Sequence, residues 1–74
     1  MTNELRDRHV RWAKVAEIDV RAIERADDLA AWIVNNRYHL ADLELQSPPH
    51  SAALRTVLHD QSEKISARIR QGVG

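Results

Sequence analysis

The 74-residue chain carries no cysteine, two glycines, two prolines and eleven basic against eleven acidic side chains, for a formal charge of zero. One domain is the most that this length holds, and it is too short for the βα units of a dinucleotide-binding sheet or a TIM barrel. Without cysteine there is no disulfide framework, thiolate zinc site or iron–sulfur cluster, and the neutral balance leaves no strongly basic footprint for nucleic acid.

From Thr2 to Gln46 there is no Gly or Pro, and Ala, Leu, Arg and Glu are abundant. These residues predict one long helix over about 3–46, with Thr2 or Asn3 as N-cap and Glu4 and Asp7 at the positive end of its dipole. Its weakest stretch is Ile33-Val34-Asn35-Asn36, where a kink near 35–36 is expected. Ser47-Pro48-Pro49-His50 reads as a turn over 47–50. The second helix then runs over about 49–71, with Ser47 as N-cap, Pro48 where a missing N–H costs least, and Ser51 as an alternative start. Gly72 stands as the natural residue just past its end, after Lys64, Arg68 and Arg70.

Hydrophobic period assigns an all-α fold. A heptad begun at Leu5 places Leu5, Trp12, Asp19, Ala26, Ile33 and Leu40 at a, and Arg8, Val15, Ala22, Leu29, Asn36 and Leu43 at d. A stripe holding a seven-residue register favours coiled-coil-like packing. In the last segment Leu54, Val57, Leu58, Gln61, Ile65 and Ile69 share one face. No run alternates as a strand does.

A helix over 3–46 would be ~65 Å long, and one over 49–71 about half that. Folded back as an antiparallel helical hairpin, the shorter helix covers only the nearer half of the longer one. The face built from Leu5, Trp12, Val15, Ala16 and Ile23 then has no cover from its own chain. Two arrangements resolve this: the long helix breaks near Arg25–Asp28 or Asn35–Asn36 and closes a three-helix bundle, or a second chain covers the free half. The second is preferred, because no Gly or Pro marks a break and short domains often depend on association.

Chemistry-bearing residues are sparse. Asp19 interrupts the apolar stripe and reads as a polar seam residue that specifies register or pairs with Arg8, Arg37 or Arg68 across an interface. His9, His39, His50 and His59 have no spacing that builds a metal site, and no Ser sits in a nucleophile elbow, so neither metal, cofactor nor enzymatic activity is expected. Trp32 at the stripe's edge is either a partner anchor or the flank of a broad core. By region the charge is +1 over 1–25, −3 over 26–46 and +2 over 47–74.

The expected function is a small non-enzymatic interaction or oligomerisation module: an adaptor, inhibitor or assembly component. It would bury Leu5, Trp12, Val15, Ala16, Asp19, Ile23 and Trp32 against another protein chain, like or unlike. The alternative is a small nucleic-acid-binding or regulatory helical dimer. It would use Arg6, Arg8, Arg11 and Lys14 together with Lys64, Arg68 and Arg70, which an antiparallel hairpin brings within reach of one another. No stretch approaches the ~20 apolar residues of a membrane span, and Met1–Asp7 lacks the features of a signal peptide, so a cytoplasmic protein is expected.

Overall fold

A computed structural model describes the backbone of residues 2–73 and the side chains of residues 7–71. It contains α1 (Thr2–Arg21), α2 (Ala26–Asn35), α3 (Arg37–Gln46) and α4 (Pro48–Val73), and no strand among the described residues. The protein is all-α. The continuous helix over 3–46 is not found: it is interrupted at residues 22–25 and kinked at Asn36.

The first interruption needs neither glycine nor proline. At the end of α1 the Ala22 N–H is shared between the carbonyls of Ile18 and Asp19, both at 3.2 Å, and the Ile23 N–H reaches back to Val20 at 3.1 Å. This tightening ends the helix while satisfying its last carbonyls. Arg25 then turns extended (φ −120°, ψ 139°), a conformation open to any residue, and its carbonyl accepts the Leu29 N–H at 3.0 Å to open α2. Charge marks the same break, with Arg21 in the last turn of α1 and Asp27 and Asp28 in the first turn of α2. Each sits at the dipole end that favours it. From α4, the buried Gln61 donates from Nε2 to the Ile23 carbonyl at 2.6 Å and holds the connection against the body of the protein.

At Asn36 the ladder bends but continues. The Asn36 N–H bonds the Trp32 carbonyl at 3.0 Å and the Asn36 carbonyl accepts from Leu40 at 2.9 Å, while Asn36 Nδ2 donates to the same Trp32 carbonyl at 2.8 Å. So α2 and α3 form one kinked rod. Ser47 ends it and begins α4: its N–H bonds the Leu43 carbonyl at 2.8 Å and its carbonyl takes the Ser51 N–H at 3.1 Å. Pro48 and Pro49 remove two of the donors that a helix start leaves orphaned. The Ser47 hydroxyl instead bonds His50 Nδ1 at 2.6 Å. α4 therefore starts at Pro48 rather than Ser51, and its span includes Gly72, which does not stand past the helix end.

The core explains the chain path. One buried cluster joins Ala13 and Ala16 of α1 to Leu43 of α3 and Leu54 of α4, with Trp12, Trp32, Leu40 and Leu58 packed around it. A second joins Val20, Leu29, Val57 and Ile65, with Ile23, Trp32 and Leu58 beside it. Moving from Ala13 to Ile23 along α1, the partners on α4 advance from Leu54 to Gln61 and Ile65. Hence α1 and α4 run in the same direction and the α2–α3 rod runs back between them. The lengths reverse the expected mismatch: α4, with 26 residues, is longer than α1, with 20. The result is a rod of 54 × 19 × 16 Å.

Candidate interaction surface

The α1 face expected to be uncovered is largely covered by its own chain. Ala16 is buried, and Trp12 and Ile23 are half-buried against the two core clusters. The helix is rotated relative to the expected seam, so that Ala13, Ala16 and Val20 point inward. Val15 is 57% exposed and Asp19 is also exposed, which takes Asp19 out of any seam within the chain. Among the described residues the ion pairs are Arg25–Asp27, at 3.8 Å, and Arg55–Glu44; neither involves Asp19. The side chains of Leu5 and Arg6 lie outside the described residues.

Trp32 is half-buried and belongs to the core: its ring stacks on Trp12 with centroids 6.2 Å apart, and His39 stacks on Trp12 at 5.2 Å. Beside this stack Arg8, His9, Trp12, His39 and Asp42 line a shallow depression between α1 and α3. No group of three or more metal-ligating side chains converges among the described residues.

The two basic groups do not come together. Lys14 lies near the level of Leu54, because Ala13 and Ala16 pack there, whereas Lys64, Arg68 and Arg70 follow Gln61, which is level with the end of α1. At the helical rise the groups are separated by roughly 15–35 Å along the rod. The proximity expected from a hairpin is lost because α1 and α4 are parallel.

Sequence reasoning missed a different surface. On the side of the α2–α3 rod opposite Leu29, Trp32, Leu40 and Leu43, the residues at spacing three and four are Ala31, Val34, Tyr38, Ala41 and Leu45. All are exposed, Val34 by 55%, Tyr38 by 71% and Leu45 by 80%. Because the hydrogen-bond ladder passes through Asn36, the five form one apolar stripe ~21 Å long rather than two short ones. Arg37 braces it, donating to the Val34 carbonyl at 2.9 Å while its guanidinium sits 4.7 Å above the Tyr38 ring. The signal was present in the sequence as apolar b and f columns of the heptad, confined to residues 31–45. By contrast the exposed apolar residues of α1, Val15 and Ile18, stand among Arg11, Lys14 and Arg21.

A second apolar feature adjoins it. Ala26, Leu29, Ala30, Ile33, Leu58 and Ile65 line an open groove of about 200 Å³ where α2 crosses α4. Ile33 and Ala30 belong to both the groove's wall and the flank of the stripe. No helix among the described residues is long and apolar enough to cross a membrane. No family model matches the chain, and neither the curated proteins nor the solved structures include one that matches it.

Proposed function

We propose that this protein is a small non-enzymatic interaction module that binds another protein chain through apolar helix surface. The observation that carries the reading is the two-faced α2–α3 rod, whose inner side fills the core while Val34, Tyr38 and Leu45 stand in solvent. A helix apolar on all sides belongs in an interior. With one side already packed, the other is completed by a partner. Leaving a Leu and a Tyr uncovered forgoes ~1.5–3 kcal/mol for each large side chain. Tyr38, with its guanidinium neighbour, has the amphipathic character favoured at interface centres.

In this reading the fold is a three-helix bundle, with α2–α3 as its kinked middle member presenting the docking face. Among the residues first expected to touch a partner, Val15 and Asp19 are exposed on α1 outside the stripe, while Trp12, Ala16, Ile23 and Trp32 support the rod from behind. The nucleic-acid reading lacks a continuous basic track, since its two groups lie at different levels of the rod. An affinity for nucleic acid that falls steeply with salt would revive it.

The test is a capture experiment with the protein as bait, comparing wild type with Leu45→Glu and Ile18→Glu. A docking face on α2–α3 requires that Leu45→Glu abolish specific capture and that Ile18→Glu retain it. Equal capture by all three removes the stripe from the function.

A further inference from the structure

The flanks of the stripe carry charge in an order that suits one particular occupant. We propose that the occupant is a second copy of this chain, paired antiparallel through Val34, Tyr38, Ala41 and Leu45. The inference rests on the docking reading above and adds the identity of the partner.

Consider the α2–α3 rod laid against its copy about a two-fold axis between Tyr38 and Ala41. Tyr38 of each chain then meets Ala41 of the other, and Val34 meets Leu45, so each layer pairs a larger with a smaller side chain. In an antiparallel pair each flank faces the same flank of the partner. One flank carries Arg37 and, seven residues on, Glu44, so that Arg37 of each chain falls beside Glu44 of the other. Such flanking pairs select orientation and partner in helix–helix contacts. The opposite flank carries Asn35 and Asp42, which face each other without a like-charge clash.

Both members of the proposed pair are available. Arg37 is exposed, held in place by the Val34 carbonyl and the Tyr38 ring. Glu44 is about half exposed and pairs with Arg55, which leaves part of its carboxylate open to a second cation. The contact is isologous, so it closes at two copies and needs no further surface. Two heptads bury less than the ~800 Å² per partner of a standard interface, which places the dimer in the weak, concentration-dependent range.

Complementary charge reversal is the test. Sedimentation equilibrium would compare the wild type with Arg37→Glu, with Glu44→Arg, and with an equimolar mixture of the two variants. Helicity by circular dichroism verifies that each variant folds, and Arg37→Gln with Glu44→Gln serve as milder changes. The expected result is that each reversal alone weakens association by about tenfold or more, and that the mixture restores it. Each variant paired with itself sets like charges together at both flanking contacts. In the mixed dimer one contact holds the pair with its charges exchanged and the other keeps the native Arg37–Glu44 pair, so both are attractive. A Glu44→Arg variant that dimerises as well as wild type overturns the antiparallel pairing. A wild-type chain that stays at 8.5 kDa up to ~1 mM overturns self-association altogether. In that case the docking reading is judged separately, by whether Leu45→Glu abolishes capture of a different protein.

Discussion

α1 and the α2–α3 rod are of nearly equal length, yet they use their surfaces differently. α1 turns Ala13, Ala16 and Val20 inward and spreads Arg11, Lys14, Arg21 and Asp7 over its outer side, so a charged face is simply left in water. The α2–α3 rod places Leu29, Leu40 and Leu43 inward and Val34, Tyr38 and Leu45 outward, with Arg37 and Glu44 on one side of that outer line and Asn35 and Asp42 on the other. Both contribute to the same core. Among the described residues the rod carries the longer exposed apolar line, five residues from Ala31 to Leu45, against Val15, Ile18 and Ala22 at the end of α1. In the proposed docking role, what separates the rod from α1 is the side facing away from the core.

Substitutions on the inner and outer sides of the rod should have unequal consequences for the single chain. Leu43 and Leu54 are fully buried, so Leu43→Ala should cost ~2–5 kcal/mol, enough to unfold much of a small domain. Leu45→Ala, two residues away on the outer side, should change the stability of the single chain by less than ~0.5 kcal/mol. Chemical denaturation of the two variants at low protein concentration measures this contrast, and similar losses would mean that the two sides are not distinct.

Trp12→Ala comes next. It removes a half-buried ring and both of its stacking contacts, with an expected loss of about 2–3 kcal/mol and a change in Trp32 fluorescence. A Trp32 spectrum that does not change would show that the rings are not packed together. Gln61→Ala should then cost ~1–3 kcal/mol, because the Ile23 carbonyl loses its donor at the break between α1 and the rod. Faster amide exchange at residues 22–25 would accompany the loss; unchanged exchange there would place the fixing of this connection elsewhere.

Arg25→Ser should give a small effect of the opposite sign. Arg25 has the backbone of an N-cap residue but makes no side-chain cap bond, so serine should stabilise α2 by about 0.5–1 kcal/mol. A rise in thermal midpoint measures it, and a fall would mean that the Arg25–Asp27 pair contributes more than its exposure suggests.

The all-helical character was legible from composition and period, and so was an interruption at Ser47, because serine and proline act locally there, although the turn expected over 47–50 is reduced to Ser47 alone. Asn36 was legible as a weak point for the same reason. The break at 22–25 was not, since it is built from extended and tightened backbone that Ala22, Ile23, Glu24 and Arg25 all tolerate, and a side chain 38 residues away holds it. Its only local mark is the charge change from Arg21 to Asp27 and Asp28. Missing it carried one heptad register across two helices. In α1 the inward residues Ala13, Ala16 and Val20 fall at b and e of that register, and in the rod Leu29, Leu40 and Leu43 fall at a and d. The apparent continuity hid the change of face, and with it the outer stripe.

The claim that the rod's outer side, rather than that of α1, is the docking face is tested most directly by solution mass. Sedimentation equilibrium of wild type, Ile18→Glu and Leu45→Glu over a range of concentrations compares one exposed apolar residue from each side. Wild type and Ile18→Glu are expected to rise together from 8.5 kDa toward twice that mass, while Leu45→Glu stays at 8.5 kDa. Loss of association in Ile18→Glu, with Leu45→Glu behaving as wild type, would move the docking face to α1 and contradict the assignment.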